Sequence, residues 1–313
     1  MSGYALTFPK SAMHKLGASP VIYGLADRNM LIPSGAGGGP RSFLVETLSL
    51  QEQHRYVTYN PSGPYKVDWM HEREWRWPYQ DSLECLGQEI EEFGMVSDAA
   101  SIPGFDFSCP TLKGIGIIVK TQEDAKKIKY DVLALIDRKV VRRDHFDHIL
   151  VREELPDTSC LISPKEVQNM IDASLLDFSG YFSISDVEVR RVVSDFSARV
   201  HHLEKTAPAI EEGEDGGCWL WFHDNSNPYV RALVQAGRIS VNKEGRYVAS
   251  LDELDDFRDL RQRERLAGDL AREIYREVGT SCSYFSVRGS TNPDGIPFYV
   301  GGFPEDDLYH NRG

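Results

Sequence analysis

The chain has 313 residues, enough for two domains of ordinary size with a buried core in each. Hydrophobic residues make up 41% and charged residues 27%, and no apolar run approaches the ~20 residues that cross a bilayer, which excludes a membrane-spanning helix. The 48 acidic and 35 basic side chains leave a net charge of −13, which disfavours nucleic acid as a partner, because that attraction comes from Lys and Arg neutralising phosphates. Residues 1–8 lack a basic segment followed by a long apolar one, so no secretory signal and a cytoplasmic location are expected. Five cysteines, an odd number without a C-x-x-C spacing, predict reduced thiols rather than a disulfide framework or a zinc knuckle.

Along the first 60 residues the pattern predicts short strands at Tyr4–Phe8, Pro20–Tyr23 and Ser42–Thr47. The glycine loop at 34–40 fits neither G-x-G-x-x-G nor a Walker pattern and is expected to be a flexible turn rather than a phosphate nest. Residues 67–77 alternate as a strand, Ser82–Phe93 has helical spacing, and 94–113 is a loop punctuated by Pro and Gly. Ile115–Val119 reads as a fully buried strand, followed by a short helix at Gln122–Ile128, an apolar strand at Asp131–Ile136 and another near His148–Arg152. The basic run at 138–143 is expected to be solvated. His145 and His148, with Asp144 and Asp147, lack a matching third ligand, so no metal site is expected.

Leu155-Pro156-Asp157-Thr158 is the expected domain boundary, giving an α+β domain of mixed sheet at 1–157 and a C-terminal α+β module at 163–313. The second begins with a helical connector at 163–207, whose first helix opens with Ser163 as cap, Pro164 and Glu166. An acidic loop at 208–217 leads to a buried strand, Cys218–Phe222, and a helix from Asn227-Pro228 to about Ala236. His223-Asp224-Asn225 between them is either a polar site or an Asx turn. A hairpin around Gly245, one long helix from Leu251 to Val278, and strands at Ser283–Val287 and Pro297–Val300 complete the chain.

The stretch Val67-Asp68-Trp69-Met70-His71-Glu72-Arg73-Glu74-Trp75-Arg76-Trp77 carries the strongest chemical signal. On a strand, Met70, Glu72, Glu74 and Arg76 share one face and Trp69, His71, Arg73, Trp75 and Trp77 the other. Two carboxylates then stand roughly 6.5–7 Å apart, a spacing at which they can serve opposite ends of a small sugar-like substrate. The plainer alternative is a charged edge strand in which Glu72 or Glu74 pairs with Arg73 or Arg76.

The string His71-Glu72-Arg73-Glu74-Trp75-Arg76, coming after Tyr4–Phe8 and Ser19-Pro20-Val21-Ile22-Tyr23, resembles bacterial abortive-infection proteins of phage defence. That group in turn looks similar to ADP-ribosyltransferases, which carry a Glu-x-Glu pair on a strand. The resemblance implies an ADP-ribosyltransferase-like fold for the first domain and an anti-phage or toxin effector using NAD as substrate. Glu74 would steady the oxocarbenium-like transition state, and Glu72 would orient or deprotonate the acceptor. Arg41, Tyr23 and Arg76 are the residues it offers for binding NAD, with His14 a further candidate for the first transferase motif. The partners it implies are a phage or host target protein and a regulatory protein such as an antitoxin. A non-catalytic sensor built on the same core is the alternative. The C-terminal half looks like an uncharacterised bacterial domain and implies no activity.

Overall fold

The computed structural model describes residues 3–23, 49–57, 70, 73–77, 109, 112–155, 163–210 and 213–301. The chain forms two compact units, Phe8–Lys113 and the combination of Met1–Thr7 with Gly114–Gly313. The fold is of mixed helix and strand, as the sequence predicts, and no helix among the described residues is long and apolar enough to cross a membrane. Strand β1, Ala5–Thr7, belongs to the larger unit.

In the smaller unit, helix α1 (Lys10–Lys15) precedes β2 (Ser19–Pro20) and β3 (Ile22–Tyr23). A 3-10 turn over Leu50–Arg55 leads into β4 (Tyr56–Val57), and β5 is Trp75–Arg76. Strand β2 pairs antiparallel with β5, and β3 pairs parallel with β4. The strand expected over 67–77 therefore amounts, among the described residues, to two residues. Arg73 sits at φ 48°, a left-handed conformation that a continuous strand does not contain. The expectations for 34–40, Ser42–Thr47 and Ser82–Phe93 fall outside the described residues, as do Arg41 and Glu72.

In the larger unit, β6 (Ile115–Val119) lies between β1, antiparallel to it, and β7 (Phe146–Val151), parallel to it. Helix α2, Gln122–Asp137, makes the crossover. One 16-residue helix thus replaces the short helix and strand expected at 122–136. Its start is fixed by a capping box, in which the Thr121 hydroxyl accepts from Asp124 N and the Asp124 carboxylate accepts from Thr121 N. No breaker follows until the left-handed Lys139 at φ 61°. The contiguous apolar run reflects a helix buried over much of its circumference, with Val132, Leu133, Ala134 and Ile136 all inside.

Helices α3 (Pro164–Ala173) and α4 (Asp186–Thr206) follow, α3 with the expected Ser163–Glu166 capping box. Next come β8 (Gly216–Phe222), α5 (Pro228–Gln235), β9 (Ile239–Val241) and β10 (Tyr247–Ser250). Helix α6 (Leu260–Val278), β11 (Cys282–Arg288) and β12 (Phe298–Gly301) complete the unit. The five strands form one antiparallel sheet in the order β12-β11-β8-β10-β9. Helix α6 begins at Leu260, not Leu251, because the Asp259 carboxylate accepts from the Arg261 and Gln262 amides and so fixes the first turn there. Leu251 and Leu254 are buried from the turn that precedes the helix, whereas Phe257, in the same segment, is 80% exposed.

The assignment of 114–157 differs from the expected division at 157/163, since this segment belongs to the unit that holds the C-terminal sheet. Asp137, at the end of α2, is the physical reason. It takes Arg231 of α5 in a two-pronged ion pair at 2.5 and 2.9 Å and the Tyr247 hydroxyl of β10 at 2.6 Å. The Asp137 and Arg231 side chains are only 4% and 2% exposed, so the pair is internal to a single core.

Candidate functional site

Glu74 and Arg76 meet in the smaller unit. Arg76 Nε donates to Glu74 Oε1 at 2.7 Å and Nη2 to Oε2 at 3.2 Å, while Nη1 reaches the backbone carbonyls of His54 (3.2 Å) and Tyr56 (3.5 Å). About a third of each side chain stays exposed, 34% for Glu74 and 38% for Arg76. The backbone of Glu74 is held as well, its carbonyl accepting from Val21 N at 3.1 Å. The carboxylate is therefore fixed in direction, and each of its oxygens takes a bond from the same guanidinium. The geometry matches the plainer alternative of a Glu–Arg pair on an edge, and it also produces a preoriented anion. Tyr23 lies on β3 opposite Val57, next to the Tyr56 carbonyl that Arg76 holds. The left-handed Arg73 removes the simple alternation from which a shared face for Glu72 and Glu74 follows.

The histidines flagged by the sequence sit in structural roles. His145 and His148 are 1% and 5% exposed, and no group of three His, Cys, Asp or Glu among the described residues is arranged to hold a metal. His148 lies over Gly116, where a Cβ would come within 2.1 Å of its Nε2, and its Nδ1 is 3.2 Å from Asp147 Oδ2. His223 places Nε2 3.0 Å from Ser283 Oγ and Nδ1 3.3 Å from Ser281 Oγ. This resembles a nucleophile–base pair in distance only, since Ser283 is fully buried and no substrate can reach it. Asp224 makes an Asx turn instead, accepting from Ser226 N at 2.9 Å, and Asn227 then caps α5.

A second site, which the sequence did not flag, is a cleft of about 540 Å3 along the face of α6 that borders β11. Arg261, Glu264, Arg265, Gly268 and Arg272 recur at helical spacing and so share this face, and Tyr284 enters from β11. Glu264 is buried and saturated, accepting from Ser286 Oγ at 2.6 Å and from Arg261 Nη1 at 3.0 Å. Asp269 is paired with Arg272. Burial raises the Tyr284 phenol, with the Glu264 carboxylate adding to the effect, so the hydroxyl stays protonated at neutral pH. The one local signal was Gly268, an unexplained glycine in the middle of a helix with a high charge density.

A family model described as a protein of unknown function (DUF4427) matches residues 183–312, which run from just before α4 through β12 and include this cleft. No curated protein and no solved structure matches the chain.

Proposed function

We infer that the chain is a defence or toxin effector of the abortive-infection type that uses NAD as an ADP-ribosyl donor, with Glu74 as the central carboxylate. The observation that carries this reading is the orientation of Glu74. Arg76, itself tied to the His54 and Tyr56 carbonyls, fixes the carboxylate before any substrate arrives. In the reaction the bond between ribose C1′ and nicotinamide breaks and nicotinamide leaves with the electron pair. Positive charge grows on the sugar, and a nucleophile on the acceptor attacks C1′ and loses its proton. A fixed carboxylate beside C1′ stabilises that charge as one does in glycoside hydrolysis. Tyr23 and Arg76 are proposed to contact NAD, and Glu72 and Arg41 complete the proposed set. The acceptor is a phage or host protein or, less favoured by the net charge of −13, a nucleic acid.

The test is incubation with labelled NAD and cell lysate, comparing wild type with Glu74→Gln, which keeps the shape and removes the charge. Label transfer or nicotinamide release that disappears in the variant supports the reading, and undiminished activity in the variant ends it. A second reading, a non-catalytic sensor that binds a protein partner, is favoured by the fact that both Glu74 oxygens already accept from Arg76. Stable co-purification with a partner and no heat of NAD binding would select it.

A further inference from the structure

We propose that β12 is a self-association edge, at which two copies of this chain pair β12 to β12 antiparallel, with Tyr299 on the two-fold axis, and join their five-stranded sheets into one. The edge lies in the larger unit, and the inference stands independently of the Glu74 reading.

The backbone of β12 carries the argument. Strands β12 and β9 are the two ends of the sheet. Arg288 N donates to the Pro297 carbonyl at 3.3 Å, so residues 288 and 297 form a hydrogen-bonded pair, and the antiparallel pattern alternates from there. Tyr299 and Gly301, opposite Ser286 and Tyr284, therefore turn their backbone groups toward β11. The N–H and C=O of Phe298 and Val300 point the other way, where no strand lies among the described residues. Pro297 does not guard this side, because the position of its missing N–H faces β11.

Sheets ordinarily protect an edge with charge or by keeping it short. The β9 edge conforms, since its three residues stand between Arg238 and Lys243. The β12 edge, Phe298-Tyr299-Val300-Gly301, holds no charged residue. Phe298 is 42% exposed, and Ile296 just before it is 85% exposed, more than any other large apolar side chain among the described residues. In a chain of net charge −13, a neutral edge is where two copies approach with least repulsion. Pairing about Tyr299 sets the outward groups of Phe298 against those of Val300 in the second copy, and the reverse. Each of these two pairs exchanges two N–H···O bonds. Each Phe298 ring then lies opposite a Val300 side chain, an aromatic–β-branched pair that stabilises a sheet. The apolar layer of Val248, Phe285 and Val287, which Val300 borders, continues from one sheet into the next. An unrelated peptide would meet the same backbone groups, but only a second copy matches both side-chain pairs by symmetry. The contact is small, so the dimer forms with a Kd of about 1–100 μM.

Sedimentation velocity of the full chain from about 1 to 300 μM tests the edge. The wild type is expected to move from the mass of one chain to that of two. Val300→Pro removes an outward amide without touching a bond to β11, and Phe298→Lys puts a charge on the edge. Both are expected to keep the mass of one chain throughout, with the circular dichroism of the wild type. Phe298 is already 42% exposed, so Phe298→Lys carries the test even if Val300→Pro does not fold. Tyr299→Cys reads the register. Residues on the axis form a non-hydrogen-bonded pair with Cα atoms about 4.5 Å apart, a separation a disulfide spans, so mild oxidation is expected to yield a reducible dimer that the wild type does not give. Glu74→Gln is expected to associate as the wild type does, so this inference and the transferase reading fail separately. Three results would overturn it: a wild type of single-chain mass at every concentration, undiminished association in Phe298→Lys, or no additional cross-linking in Tyr299→Cys.

Discussion

Replacing Asp137 by Ala should be among the most damaging single changes in the larger unit. The carboxylate accepts three charge-assisted hydrogen bonds, two from Arg231 at 2.5 and 2.9 Å and one from Tyr247 at 2.6 Å. Without it, Arg231 remains inside the core with only the Tyr181 carbonyl, 3.1 Å from its Nε, as hydrogen-bond acceptor. Arg231 is 2% exposed, so water cannot take over the lost contacts. Breaking a buried pair by removing one partner costs about 3–5 kcal/mol, mostly through the charge left behind. In a body of about 200 residues this corresponds to a fall in Tm of roughly 6–20 °C. Urea unfolding and thermal melts of wild type and Asp137→Ala measure it. The triple variant Asp137→Leu, Arg231→Met, Tyr247→Phe removes every member together and should lie within about 2 kcal/mol of wild type, because an apolar replacement carries no stranded charge. A loss below about 1 kcal/mol in Asp137→Ala, or a triple variant no better than the single one, would refute the claim that this pair locks α2 to the sheet.

Gly268→Ala should stabilise α6 by about 0.5–1 kcal/mol and raise the melting temperature, since the added methyl meets no close contact. Asp259→Ala should cost about 1–2 kcal/mol, because the carboxylate caps α6 through the Arg261 and Gln262 amides and also accepts from Glu214 N at 2.7 Å. The Glu214 bond, foremost, holds the Asp259 carboxyl below its ordinary value. With the folded pKa below the unfolded one, the stabilisation is complete above about pH 4 and disappears as pH falls through the folded value, so acid denaturation of Asp259→Ala should lack that component. Burial pushes the Cys218 thiol up to about 12 and raises Cys282 as well, so neither should react with iodoacetamide at neutral pH until the protein is unfolded, as peptide mass mapping would read. Gly116→Ala should destabilise by about 1–3 kcal/mol in a urea melt, because His148 Nε2 and Thr7 Oγ1 lie 2.1 and 2.3 Å from the new atom.

Local chemistry was the legible part of the fold. Ser163–Glu166, Asn227-Pro228 and Gly245 announce caps and a turn by residue type alone, and the structure has them at those positions. Two readings failed because burial changes periodicity. Residues 132–136 are apolar at consecutive positions, as a two-sided strand would be, yet they are the part of α2 enclosed by β6, β7 and the C-terminal core. Leu251 and Leu254 are apolar at helical spacing, but the Asp259 cap starts the helix at Leu260, nine residues after Leu251, and the aspartates at 252, 255 and 256 offer the same capping chemistry in sequence. The Glu74 site was legible as a pair of charges and not as a geometry, because nothing in the pattern Glu72-Arg73-Glu74 signals a left-handed arginine. The Asp137–Arg231–Tyr247 set joins residues 94 and 110 positions apart, a separation at which no sequence pattern operates.

The two faces of the five-stranded sheet are closed in different ways. On one face Leu220, Phe222, Tyr247, Ala249 and Cys282 join α4, α5 and α6 in the main core. On the other, Phe285, Val287 and Val248 are closed over by the sheet's own side chains. The Trp219 ring lies across Gly217, where a Cβ would meet it at 2.0 Å, and Arg246 spans Trp221, Phe285 and Phe298 with 4.6 Å to the last ring. Arg246 is also paired with Glu244 at 2.8 Å, so its charge is committed to packing and to a neighbour. Glycine therefore does opposite things on the two faces. At 217 its missing side chain is filled by a tryptophan, which closes the surface, whereas Gly268 is buried in α6 with only Arg272 Nη1 and Tyr284 Cδ1 near its missing Cβ, both at 3.9 Å. The close approach at 217 requires glycine, and the ordinary distances at 268 do not, which is why alanine is expected to be accepted there.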